Sequence, residues 1–121
     1  MSDRDSQLMA ILRIGHDTSM RGAGISLDAA LLKTRYSALR ATIEPTDLVP
    51  LIQADETLCE EWLAYSQDKR TSGGWYLLED YSVGRLNPKA EVAPERYQSR
   101  EEGVANFVLR ELDFWANVND G

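Results

Sequence analysis

Residues 99–117 read SREEGVANFVLRELDFWAN and predict the helix around which this chain folds. Ser99 and Glu102 have the spacing of a capping box, in which the serine oxygen accepts the N–H of Glu102 and the glutamate reaches back to Ser99. The apolar residues that follow lie on one helix face; they are Val104, Phe107, Val108, Leu112 and Trp115. The pattern predicts an amphipathic helix that ends near Asn117.

A short β-hairpin is predicted before this helix. The breaker cluster Thr71–Gly74 precedes an aromatic and apolar run, Trp75–Leu78, and a second run follows at Val83–Leu86. A lone hairpin is marginal in water, so it must pack on helices or pair with a further strand. Residues 89–98 lack periodicity and predict an irregular connection.

The first half of the chain predicts helices. Asp5 can cap a helix over residues 6–14, which Gly15 would end in the left-handed conformation. Ser26 can cap the next helix, which would run to about Ala41. Its apolar face would contain Leu32, Tyr36, Leu39 and Ile43.

Pro45 would stop that helix, and Thr46 or Asp47 can cap the one that follows, with Pro50 in its first turn. The apolar stripe of this third stretch is interrupted at Asp55. We expect the helix to break there, with Asp55 capping a second segment over residues 56–67. A functional buried carboxylate is the alternative.

The fold class predicted from these elements is a mostly helical α+β domain, with four to five helices and an antiparallel hairpin before the last one. The 121 residues, 43% of them hydrophobic, fit one globular domain over 1–121. No apolar run approaches the roughly 20 residues of a membrane span.

Negative charge is concentrated in one block. The formal net charge is −7, and the segment 44–68 contains seven acidic residues and no Lys or Arg. The other 13 acidic residues are matched by 13 basic ones. An acidic block repels phosphate and anionic lipid, so neither nucleic acid nor a membrane surface is expected as a partner. A protein with a basic surface fits this charge.

Cysteine and histidine are too few for several classes of site. Cys59 and His16 are single, so neither an intramolecular disulfide nor a structural zinc site is expected, and no cofactor is predicted. Cys59, beside Glu60 and between apolar positions, should be inert. His16, Asp17 and Ser19 are explained by a polar loop, because no nucleophile elbow accompanies them. The amino terminus resembles no secretory signal, and a cytoplasmic location is expected.

The first candidate site is the acidic helix, with Asp55, Glu56, Glu60 and Glu61 as partner-binding residues. Glu56 and Glu60 are spaced i, i+4 and should repel each other without a compensating Lys. A solvated face that only keeps the protein soluble is the alternative. A divalent cation site is not favoured, since no calcium-loop motif is present.

A second candidate site surrounds the loop before the hairpin. Its cations, hydroxyl and flexible backbone could hold an anionic ligand; the residues are Lys69, Arg70, Ser72, Gly73, Gly74, Trp75 and Tyr76. A helix C-terminus with favourable cations explains the same residues. The tryptophans Trp62, Trp75 and Trp115 are expected to pack together in the core, or to form part of a binding face.

Three hypotheses of function follow. The first is a non-enzymatic acidic interaction domain, such as an adaptor or a toxin-neutralising inhibitor, that docks a basic partner on the helix of residues 55–68. The second is a small anionic-ligand-binding domain or minor enzyme that uses the loop Lys69–Gly74. The third is a structural protein that forms a homodimer or larger homo-oligomer through the hairpin edge.

Overall fold

The computed structural model describes residues 3–18, 26–68, 74–85 and 94–117. These residues form a mostly helical α+β domain with a two-stranded hairpin before the last helix, which confirms the predicted fold class. The α-helices are α1 Asp3–Leu12, α2 Ile14–Asp17, α3 Leu27–Lys33, α4 Tyr36–Leu39, α5 Pro45–Ala54, α6 Thr57–Asp68 and α7 Arg100–Asn117. The strands are β1 Trp75–Leu77 and β2 Val83–Arg85, and a 3-10 helix, Arg40–Thr42, follows α4.

Helix α7 lies at the centre of the fold, with α5, α6 and β1 packed on it. The Ser99 hydroxyl oxygen accepts the N–H of Glu102 at 3.2 Å, so the predicted N-cap is confirmed. Phe107 and Leu112 of the predicted stripe are fully buried, whereas Trp115 is half-buried. The stripe therefore forms the middle of the core.

The amino-terminal helix is divided, and the prediction that Gly15 ends it is wrong. Gly15 lies inside α2, where a Cβ atom would come within 2.9 Å of the Trp62 indole. Glycine is needed for its size, because α2 rests directly on this ring. The Trp62 Nε1–H donates to the carbonyl of Leu12 at 2.7 Å and satisfies a terminal carbonyl of α1.

The helix predicted from Ser26 to Ala41 is also interrupted. Ser26 is the N-cap as predicted, accepting the N–H of Ala29 at 3.1 Å. However, Arg35 has a left-handed φ of 56° and separates α3 from α4. Leu32, predicted to be buried, is therefore 81% exposed, whereas Tyr36 is buried.

A polar cluster fastens α4 to α7. The Tyr36 hydroxyl donates to Asp113 Oδ1 at 2.7 Å, and Arg40 Nε donates to the same carboxylate at 2.8 Å. Burial, followed by the bond to Asp113, raises the pKa of Tyr36 above its ordinary range. The cluster therefore attaches the chain to α7 directly after the left-handed Arg35.

Helix α5 begins two to three residues earlier than predicted, because neither Thr46 nor Asp47 is its N-cap. Glu44, in extended conformation, is its N-cap, and Pro45 occupies the first turn, where a missing N–H costs little. Asp47 is not the cap but lies three residues beyond it, and its Oδ2 accepts the N–H of Glu44 at 2.8 Å. Pro50 consequently lies inside the helix rather than in its first turn.

The hairpin packs on the helices with Leu77 and Val83 buried and paired across the two strands. Its turn is held by a bond from the N–H of Leu78 to the carbonyl of Ser82 at 2.9 Å, and Tyr81 adopts a left-handed φ of 63°. On its other side Val83 pairs with Glu95 through two backbone bonds of 2.9 Å.

The three tryptophans have different surroundings. Trp62 makes edge-to-face contacts with Tyr65 and Phe107, with ring centroids 5.2 and 6.0 Å apart. Trp115 contacts Phe114. The Arg110 guanidinium lies 4.9 Å from the centre of the Trp75 ring. Only Trp62 of the three is fully buried, whereas Trp75 and Trp115 are half-buried and pack against the same core.

Candidate functional site

The acidic face is defined as Asp55, Glu56, Glu60 and Glu61, of which the first two lie directly before α6 and the other two lie on it. Glu56 and Glu60 are exposed, and Glu61 is half-buried. The opposite side of α6 buries Leu58, Cys59 and Trp62 in the core. The rigid packing of that side holds the glutamates on the surface.

Two side chains from other helices reach this face, a guanidinium and an imidazole. Arg100 Nη2 lies 2.9 Å from Glu56 Oε2, and His16 Nδ1 lies 3.8 Å from Glu61 Oε1. Glu60 has no cation within 4 Å in the part of the chain that the structure describes. The predicted repulsion between Glu56 and Glu60 is therefore offset in part by Arg100, which supplies the cation that the segment lacks.

Asp55 separates two helices, as predicted. Its backbone N–H donates to the carbonyls of Leu51 and Ile52 and ends α5, and α6 begins at Thr57. Its side chain differs from the prediction, because Oδ1 accepts the Thr57 hydroxyl instead of a backbone N–H at the start of α6. Asp55 is half-buried and contributes its charge at one end of the acidic face.

The second candidate site lies mostly outside the described residues, which exclude Lys69, Arg70, Ser72 and Gly73. Gly74 is buried with a φ of 75°, and Trp75 and Tyr76 are half-buried. The N–H of Trp75, where the loop enters β1, donates to Glu111 Oε1 at 2.9 Å. This backbone donor is thus already bound to a carboxylate.

The carboxylate of Glu111 is the feature that the sequence interpretation missed. Glu111 is fully buried on α7, and its Oε2 accepts a hydrogen bond from the hydroxyl of Tyr65 at 2.9 Å. Burial, followed by the adjacent charge of Glu111, raises the pKa of Tyr65. A sequence signal existed, because Glu111 follows Phe107 by four positions and so lies on the buried stripe.

The outer edge of β1 is covered by side chains of the helices. Besides the bond from Trp75 to Glu111, the N–H of Leu77 donates to Ser66 Oγ at 2.8 Å. On β2, Val83 is already paired with Glu95. Unpaired strand edges are what edge-to-edge association requires, so these bonds disfavour a homodimer built on this hairpin.

Cys59 is buried, and burial raises the pKa of its thiol to about 11. The prediction of an unreactive cysteine is consistent with this environment, because the thiolate is the reactive form. His16 is half-buried beside Glu61, and Ser19 lies outside the described residues.

Stability should fall at alkaline pH. The pKa of the Cys59 thiol is raised from an ordinary 9.0 to about 11, so the native state retains a proton that the unfolded chain releases. The stabilising contribution of the protonated Cys59 thiol is complete below pH 9.0 and is lost as pH rises through about 11. Thermal unfolding between pH ~7 and ~11 should show midpoints that decrease above pH ~9.

The variant Cys59→Ala is the control for that pH dependence. It removes the thiol proton, so its midpoint should fall less steeply between pH ~9 and ~10, whereas tyrosine ionisation contributes equally to both proteins. Equal slopes in the two proteins would show that Cys59 does not contribute.

The described residues contain no group of three or more His, Cys, Asp or Glu arranged to hold a metal ion. Among the described helices, none has both the length and the apolar character needed to cross a membrane.

No protein-family model matches the chain, and no curated protein or solved structure is significantly similar to it.

Proposed function

We propose that this chain is a non-enzymatic interaction domain that binds a basic partner protein through the acidic face. The observation that supports this function is the segregation of charge: residues 44–68 hold seven acidic residues without Lys or Arg, and two of these, Glu56 directly before α6 and Glu60 on α6, are exposed. A cytoplasmic adaptor or inhibitor that neutralises a basic target is the class of protein that this surface fits.

The geometry of α6 favours binding over a purely solubilising role. Its inner side is fully buried, so the outer glutamates are held in fixed relative positions and lose little backbone freedom on binding. A surface of one sign also increases the rate of encounter with a partner of the opposite sign. The screening length of about 8 Å at physiological salt limits this attraction to nearby charges, so the closest acidic residues should dominate.

The double variant Glu56→Lys/Glu60→Lys tests the proposal. A partner captured with the wild-type chain would be purified and its affinity measured by titration calorimetry. We expect the double variant to bind at least about tenfold more weakly, since each reversal replaces attraction by repulsion. Wild-type binding should also weaken between about 50 and about 300 mM salt.

The matched control is Asp28→Lys/Glu79→Lys, which changes the net charge by the same amount. Asp28 and Glu79 are exposed and lie outside the acidic face, on α3 and in the hairpin turn. This control should retain an affinity within about threefold of wild type. Equal losses in the two double variants would assign the effect to net charge, and unchanged binding by Glu56→Lys/Glu60→Lys would contradict the proposal.

The variant Arg100→Gln gives the opposite prediction. Arg100 neutralises Glu56 and lies in the first turn of α7, where a cation is disfavoured by the helix dipole. Removing its charge should free Glu56 and tighten partner binding by about two- to fivefold. The control is Arg96→Gln, whose guanidinium is exposed beside Asp80 in the hairpin turn. Weaker binding by Arg100→Gln would show that the partner contacts Arg100 directly.

The two other hypotheses have less support. An anionic ligand at the loop Lys69–Gly74 would meet the carboxylate of Glu111 at the N–H of Trp75. A homo-oligomer through the hairpin would have to displace the bonds that cover its edges. Stabilisation of the protein by any anion of a panel in a thermal-shift experiment would support the ligand-binding hypothesis. A dimer in light scattering would support the homo-oligomer.

A further inference from the structure

We draw no further inference here: the strongest candidate, the surface patch beside the hairpin where Arg110 lies over Trp75 and binds Glu95, has residue types common in binding hot spots, but nothing in the structure shows what covers it.

Discussion

Replacing Glu111 by leucine is expected to lower the free energy of unfolding by about 3–5 kcal/mol, because it removes the fully buried acceptor of two hydrogen bonds. The Glu111 carboxylate is fully buried and accepts the hydroxyl of Tyr65 and the backbone N–H of Trp75, each at 2.9 Å. Leucine is similar in size to glutamate, but its side chain cannot accept a hydrogen bond. Urea unfolding followed by far-UV circular dichroism would measure the change.

The conservative variant Glu111→Gln separates hydrogen bonding from packing. Its carbonyl oxygen can still accept the N–H of Trp75, and its amide can donate to the oxygen of Tyr65, which then acts as the acceptor. We expect a loss of under about 2 kcal/mol, clearly smaller than that for leucine. If the leucine variant is as stable as the glutamine variant, the carboxylate does not hold β1 on α7.

The double variant Glu111→Leu/Tyr65→Phe tests the bond between these two side chains. In the Glu111→Leu background the Tyr65 hydroxyl loses the carboxylate that accepts its hydrogen bond, so removing the hydroxyl should recover about 1 kcal/mol. In the wild-type background the same change, Tyr65→Phe, should destabilise by a similar amount because it leaves the carboxylate short of one donor. Additive effects in this cycle would contradict direct coupling.

Features that depend on a few consecutive residues could be predicted from the sequence. Ser26 and Ser99 were identified as N-caps because a cap bonds to an N–H only three positions away. The hairpin was located because breakers flank two short apolar runs. The break at Asp55 followed from an interrupted apolar stripe, although the side chain bonds to Thr57 instead of capping.

Features that depend on contacts between distant residues could not be predicted. Arg100 lies 44 positions from Glu56, so nothing local shows that it compensates the acidic face. Tyr36, directly after the left-handed Arg35, bonds to Asp113, which also lies far along the chain. The close contact between Gly15 and the Trp62 ring replaces the expected helix end for the same reason.

The acidic face and the buried carboxylate are separate parts of one helix pair. Glu60 projects to solvent from α6, whereas Tyr65 of the same helix reaches Glu111 in the interior. Changes at Glu60 should therefore alter binding with little effect on stability, and changes at Glu111 should do the reverse wherever the protein remains folded. This separation allows the proposed function to be tested without confusing loss of binding with loss of structure.

The substitution Gly103→Ala is expected to destabilise the fold by about 2–4 kcal/mol, although alanine is the better helix former. A Cβ atom at this position of α7 would overlap the backbone carbonyl oxygen of Tyr81 in the hairpin turn. Backbone cannot move aside as a flexible side chain can, and Tyr81 already has a left-handed φ of 63°. The expected overpacking cost exceeds the gain of about 1 kcal/mol that alanine brings to a helix interior.

Gly84→Ala in the same hairpin is the matched control for Gly103→Ala. A Cβ atom at Gly84 would lie 3.7 Å from the Pro94 side chain, an ordinary contact distance. Its effect should stay within about 1 kcal/mol of zero, because a better strand residue is introduced without a clash. Thermal unfolding of both variants measures the difference. A Gly103→Ala protein as stable as wild type would mean that the hairpin turn does not rest on α7, and the attachment of β1 through Glu111 would then have to hold the hairpin without it.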